Sequence, residues 1–419
     1  MNMKRRYVNI ILIALILSIC FNGCAKNENP SGVVEPNSIS GKITVEVSPE
    51  ITTEKPTIVP TATPTVMPTI APTATPTVEP TATPTIEPTP IPTDIPEITP
   101  GLADWTAALD AFEPFERYEN NVDGHHTWNP HIFGYFHEQY HGEEYKQSFF
   151  NMIDALIAGE DTFECASEDA FNWCIGGRFI NLFFPPATDC ISFFDGGYEN
   201  GIGRLSLTVP KEVLAERIKE FEKMVTEILD DAVSDDYNDF ETAISLFDYI
   251  ARNWVYDYEE YENMDDNGGF DEDSIFRCFK ERKGICWEIA DMYEYLLMQC
   301  GIEADEVSGS VPGEGHEWTA LKLNGKWYMA DATWALTDWS TCNLNYFLID
   351  EQERLDDGFS PDSLSVAGWH GLSYTKYGVT MDTNDFENLH QLEYFGINRE
   401  THSVIGRNWD LEFVAVPYE

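Results

Sequence analysis

The chain has 419 residues, with 73 Asp and Glu against 25 Lys and Arg, for a formal net charge of −48. Of these, 64 acids and 19 bases follow residue 100, so the excess belongs to the region that can fold. Such a balance excludes nucleic acid as a partner, because phosphate binding needs clustered Lys and Arg; it serves solubility, and its field favours a cationic substrate such as a Lys-rich protein.

Taken in chain order, Lys4, Arg5 and Arg6 precede a mostly apolar run from Tyr7 to Phe21, the pattern of a secretion signal. Its end, Phe21-Asn22-Gly23-Cys24, resembles a bacterial lipoprotein signal with Phe at the usual Leu position. That resemblance implies removal of residues 1–23, lipidation of Cys24 and residence at the extracellular face of a bacterial cell membrane. Residues 24–55 are expected to be a disordered segment. From Pro56 to Pro100 a Pro stands at every fourth position, most followed by Thr. This composition favours extended polyproline II, and at about 3.1 Å per residue the tract reaches roughly 140 Å, which suits a stalk.

The exported region divides into an N-terminal subdomain (101–238), a core (239–351) and a C-terminal extension (352–419) that completes or flanks a sheet. Tyr145–Ile157 is expected to be helical, and Phe163–Val209 to hold strands and turns broken at Asp195-Gly196-Gly197 and Glu199-Asn200-Gly201. Pro210–Ala232 is expected as an amphipathic helix with Val213, Ile218, Phe221, Val225 and Ile228 along one side, and Asp239–Tyr256 as another. Leu372–Thr380 and Leu411–Val416 read as strands. The mixture indicates an α+β fold. Seven cysteines lie beyond the anchor: Cys165, Cys174, Cys190, Cys278, Cys286, Cys300 and Cys342. That number fits one free thiol with up to three bridges, or none.

Three segments carry chemistry: Gly284-Ile285-Cys286-Trp287, His316-Glu317-Trp318 and Asp331-Ala332-Thr333-Trp334. A thiol attacks as thiolate, a base must take its proton, and a third group must orient the base. Ile289, Tyr293, Leu296 and Cys300 recur at helical spacing behind Cys286, with Gly301 as a stop. The thiol therefore sits at a helix N-terminus, where the dipole and a nearby imidazolium favour the thiolate. Asn324-Gly325 signals a two-residue hairpin between 316–323 and 326–334. Leu323 then faces Lys326, His316 faces Thr333, and Asp331 is the diagonal neighbour of His316 on the same sheet face.

These residues resemble the transglutaminase-like superfamily, whose core reads Gly-x-Cys at a helix start, His-Ala-Trp on a strand, then Asp-Pro-Thr-Trp. Here Glu317 and Ala332 depart from that pattern while the three chemical groups are kept. Ile244–Tyr258 resembles the family's upstream helix, and Asn345-Tyr346-Phe347-Leu348 its next strand. The resemblance implies a papain/transglutaminase-like core, with a nucleophile-bearing helix packed on an antiparallel sheet beside an N-terminal helical and strand subdomain. It implies Cys286 as nucleophile, His316 as base and Asp331 as orienting acid, acting on amide bonds of proteins or peptides through a thioester, with no cofactor. Trp254 and Tyr256 stand where related enzymes keep an oxyanion or aromatic helper.

Other readings compete. A domain of this type can also act as a non-catalytic surface-binding module. His137-Glu138-Gln139-Tyr140-His141 matches the His-Glu-x-x-His pattern of zinc proteases, with Glu160 as the best third ligand. Asp265-Asp266-Asn267-Gly268-Gly269, followed by Asp271, Glu272 and Asp273, resembles part of a calcium loop but lacks a Glu at the twelfth position, so a solvated acidic turn is expected.

Overall fold

A computed structural model describes residues 122–263, 274–312, 314–336, 341–366 and 373–418. The signal, Cys24, the stalk and the acidic stretch 265–273 lie outside the described residues. The first half of the described chain comprises α1 (Tyr135–His141), α2 (Glu143–Ala158), β1 (Thr162–Glu164), α3 (Glu168–Cys174), α4 (Gly177–Phe183), β2 (Ile191–Glu199), β3 (Ile202–Leu207) and α5 (Lys211–Ala232). Next come α6 (Asp239–Asn253), β4 (Val255–Tyr256), α7 (Tyr258–Asn263), α8 (Ile275–Glu281), β5 (Lys283–Gly284), α9 (Cys286–Gln299), β6 (Ala304–Val311), β7 (Glu314–Leu323) and β8 (Lys326–Ala330). The last part holds α10 (Ala332–Ala335), β9 (Cys342–Asn343), α11 (Glu351–Asp356), β10 (Ser365–Val366), β11 (Glu393–Asn398), β12 (Ser403–Arg407) and β13 (Phe413–Pro417).

The fold is α+β. Its centre is α9, which is buried almost all round, from Trp287 to Leu297. A helix with no solvent face must be covered on every side. The antiparallel sheet β10-β6-β7-β8 covers one side, where Thr319 Oγ1 on β7 donates to the Ala290 carbonyl at 2.8 Å. Helix α6 covers another, with the Tyr293 hydroxyl donating to the Ala243 carbonyl at 2.9 Å. Ser365 and Val366 add an edge strand to β6, while β11, β12 and β13 build a separate sheet with Cys342–Asn343.

The helix expected over 145–157 is α2. The amphipathic helix over 210–232 is α5, but its buried stripe starts at Leu214; Val213 is 45 % exposed. Phe163–Val209 contains two helices besides its strands. Ser167 caps α3 by accepting from Ala170 N at 3.0 Å, and Glu168 and Asp169 suit its first turn, a start signal hidden among the breakers. Asp195-Gly196-Gly197 is a bulge inside β2, with Gly196 at φ 124°, while Asn200-Gly201 is the true turn. Helix α6 stops at Asn253 rather than Tyr256, because Trp254 turns extended and Val255–Tyr256 pairs in parallel with Lys283–Gly284. Asn345–Leu348 is a turn and not a strand; Leu348 adopts φ 55°, and pairing resumes only at Ile349 opposite Met329. The described part of Leu372–Thr380 holds a short 3-10 turn over Tyr374–Tyr377, closed by Gly378 at φ 72°. All seven described cysteines are free thiols.

The hairpin register is the expected one: Leu323 pairs with Lys326, and Asn324 and Gly325 take φ of 51° and 80°. A side chain at Gly325 would have to enter the left-handed region, at a cost of roughly 1–2 kcal/mol for an L-residue. Gly325→Val is therefore expected to lower the unfolding free energy by that amount, and with it the urea midpoint, at an unchanged slope; an unaltered midpoint contradicts the assignment.

Candidate active site

Gly284 is the first determinant of the site. A Cβ there would lie 2.9 Å from Cys278 Sγ and 3.1 Å from Glu288 Cβ, so only glycine lets the chain pass. Buried Glu288, in the first turn of α9, accepts from the Ile285 N–H at 2.9 Å and from Arg277 Nη2 at 2.6 Å. This cap, made from the Glu288 side alone, fixes the helix start. Burial still raises the Glu288 carboxyl to about 7, against the pull of Arg277. Cys286 is thus the first residue of α9, half-buried, with its side chain at the positive end of the helix.

His316 lies on β7 opposite Gly309 of β6 and is 8 % exposed. Its Nε2–H donates to Asp331 Oδ2 at 2.7 Å. The Cys286 thiol lies near enough to the ring to favour its charged form. With Nε2 held by Asp331, Nδ1 is the nitrogen left for the thiol. Trp334 stacks on the imidazole at 5.1 Å and 18° between planes, and Trp318 and Phe359 flank it.

Asp331 reaches His316 by a route the hairpin reading did not contain. The β7–β8 ladder ends at Thr319–Ala330, so His316 and Thr333 never pair. Asp331 instead leaves the sheet as the N-cap of α10, its Oδ1 accepting from the Trp334 N–H at 3.1 Å. A capping carboxylate stops the strand because it offers the backbone a competing partner. Thr333 Oγ1 then donates to the Cys286 carbonyl at 3.4 Å, joining this turn to the nucleophile's helix.

The sequence reasoning missed Arg354. It is wholly buried on α11, and its Nη2 donates to Asp331 Oδ2 at 2.6 Å, beside the His316 bond. Its guanidinium lies over Trp318 (4.4 Å), Trp334 (4.9 Å), Tyr346 and Phe359 (both 5.5 Å). No local signal marks it, since Glu-Gln-Glu-Arg-Leu-Asp reads as a solvated charged face. Burial pulls Asp331 up, but His316 and Arg354 outweigh that and hold it down at about 2. Burial likewise pulls the His316 imidazolium down, but Asp331 and Cys286 reverse the effect and raise it to about 10. The arrangement stabilises a charged imidazolium between a carboxylate and a thiol.

Trp254 corrects an expectation. It is 1 % exposed, and its Nε1–H is committed to the Cys278 carbonyl at 2.9 Å, so it packs and does not help. Tyr256 is different: pairing with Gly284 sets it near Cys286, and burial, then the Cys286 charge, raise its phenol well above the ordinary range. The His-Glu-x-x-His segment does form helix α1. His137 lies 3.3 Å from Asp305 Oδ1 among Phe133, Phe179 and Phe183, His141 packs on Trp173 and Tyr145, Glu138 pairs with Lys146, and Glu160 is exposed. Among the described residues, the convergent group able to hold a metal is Asp291, Glu294 and Glu306, and neither histidine belongs to it. An open cavity of about 1230 Å³ beside Asp230, Tyr249, Arg252 and Arg399 touches none of Cys286, His316 and Asp331.

Part of the chain is similar to known proteins. Residues 226–332 match the core of the transglutaminase-like superfamily. Kyphoscoliosis peptidase of Mus musculus is 25% identical over 159 residues, 33% of this chain and 23% of that protein, so the chain spans about a quarter of its curated relative. Two solved structures are also similar. A protein provisionally assigned as a cysteine protease, from Cytophaga hutchinsonii, shares 18% identity at a TM-score of 0.24, covering 34% of this chain and 42% of the other. A TGase shares 17% at 0.25, covering 34% and 44%.

Two outcomes are expected. Arg354→Met strands a buried carboxylate and should cost about 3–5 kcal/mol in denaturant unfolding; a loss under 1 kcal/mol contradicts the role given to the pair. His316, with its folded pKa raised, adds stability that is full below its ordinary value of 6.5 and is lost as pH rises through about 10. The stability gap between wild type and His316→Gln should therefore shrink between pH 6 and pH 10; a gap that widens has the wrong sign.

Proposed function

We propose that the chain, whose residues 226–332 match the core of the transglutaminase-like superfamily, is a cysteine enzyme that acts on amide bonds of proteins or peptides through a thioester. The observation that carries this reading is the imidazole of His316, hydrogen-bonded to buried Asp331 and near enough to Cys286 for the thiol to favour its charged form. The Cys286 thiolate attacks the amide carbonyl carbon. The new oxyanion meets the Cys286 backbone N–H, which opens α9 and has no intrahelical acceptor. The S–C bond forms, the C–N bond breaks, and the His316 imidazolium gives its proton to the leaving amine. An incoming water or amine then loses a proton to His316 and displaces the thiolate, releasing acid or a new amide. Asp331 keeps the ring oriented, and Arg354 acts through Asp331 as a positioning residue.

Water as the second nucleophile makes the enzyme a peptidase, and the name of the mouse relative supports that acceptor. The strongly negative charge supports a cationic protein substrate. We further propose lipidation at Cys24, with the Pro/Thr tract as a stalk that holds the domain outside a bacterial membrane.

Iodoacetamide labelling of Cys286 at neutral pH is expected to be stoichiometric and to slow by about 10²-fold or more in His316→Ala, because the base is gone. Equal labelling rates in the two proteins sink the enzymatic reading. Metabolic incorporation of a radiolabelled fatty acid is expected in the wild type and absent in Cys24→Ala; incorporation that survives the substitution refutes the anchor.

A further inference from the structure

One group of side chains has no part in the chemistry above. Asp291 and Glu294 stand three residues apart on α9 and share a face of the helix, and Glu306 of β6 meets them across the helix–sheet interface. Their relative exposures are 1 %, 1 % and 0 %, and one carboxylate oxygen from each lies within 4.8 Å of the others. Both Glu294 oxygens, both Asp291 oxygens and Glu306 Oε1 are buried with no hydrogen-bond donor. Among the described residues, the guanidinium facing the cluster is that of Arg178, at 2.6 Å from Glu306 Oε2, 3.2 Å from Glu317 Oε2 and 3.6 Å from Asp291 Oδ2. Asp305 is nearby but already satisfied, accepting from the Phe136 and Glu306 N–H groups. Counting Asp305 and its partner His137, five carboxylates against one guanidinium and one imidazole leave an excess of at least three negative charges if all are ionised. Burying such an excess is unfavourable unless protons or a cation neutralise it.

We infer that Asp291, Glu294 and Glu306, with Glu317 at the rim, form a site for one hard divalent cation of the calcium or manganese class, which clamps α9 onto β6 and β7. The donor set is all oxygen, which suits such ions. Bonds of about 2.3–2.6 Å place opposite ligands about 4.6–5.2 Å apart, in keeping with the observed separation. Glu294 supplies the strongest pointer, since one of its oxygens converges on the cluster and both are buried with no donor to meet them. At the rim, the Arg178 and Glu317 side chains are 27% and 25% exposed. The site lies between the helix that begins at Cys286 and the strand that carries His316, next to Glu317. A cation there fixes the helix against that strand. This consequence for catalysis rests on the function proposed above, whereas the binding does not.

The test uses the full-length chain stripped with chelator and titrated with Ca²⁺ alone, and separately with Mn²⁺ alone, followed by calorimetry and by thermal unfolding. One ion per chain and a higher melting temperature are expected, with affinity reduced at least tenfold in Glu294→Gln. Cys286→Ala should bind as the wild type does, so a failed enzymatic reading leaves the site standing. Should Glu294→Gln not fold, Glu317→Gln at the accessible rim replaces it, with a several-fold loss expected. Absence of saturable one-to-one binding overturns the site and leaves a cluster neutralised by protons. Equal binding by wild type and both variants also overturns it, placing the ion elsewhere on the acidic surface.

Discussion

Everything at the candidate site hangs on one buried carboxylate oxygen, Oδ2 of Asp331, which accepts from both His316 and Arg354. A carboxylate with no exposure is tolerated only when charge and hydrogen bonds replace the water it has lost. Two cationic donors and one backbone N–H do this, so Asp331 stays ionised. The aromatic wall of Trp318, Trp334 and Phe359 shields the same pair and keeps water from competing with it. His316 is therefore held by an anion that cannot move, and its orientation becomes a property of the core rather than of a mobile surface side chain.

The second organising element is α9. Its first residue carries the thiol, its first-turn Glu288 ties it to Arg277 of α8, and its buried middle packs on sheet and helices. Rigid support of this kind suits a nucleophile that must stay within reach of one nitrogen. The cost is visible in the same helix, where Glu288, Asp291 and Glu294 bring three acids into the core. One is answered by Arg277, and burial raises all three carboxyls above their ordinary range. The proposed cation would answer the other two.

Local rules read the turn and helix signals well. Asn324-Gly325 produced the expected pairing because two consecutive residues that accept left-handed backbone conformations leave a hairpin little choice. The apolar spacing behind Cys286 produced a helix. Reading failed where local and tertiary preferences competed. Asp331 left its strand because its side chain could cap a helix. Ser167 opened a helix inside a stretch rich in breakers. Trp254 spent its indole N–H on a core carbonyl.

The amino-acid sequence by itself determined the α+β class, the hairpin register, the helix start at Cys286 and the three groups that could react, since each follows from spacing and side-chain chemistry over a few residues. Only the tertiary structure decided that Arg354, 23 residues beyond Asp331, shares its oxygen, that Tyr256 and not Trp254 stands near the thiol, and that three acids of α9 and β6 face one another. Those facts depend on burial and on contacts between segments far apart in the chain. A charged residue reads the same in sequence whether it is solvated or enclosed, and the energetic difference between those states arises only when the fold removes the water.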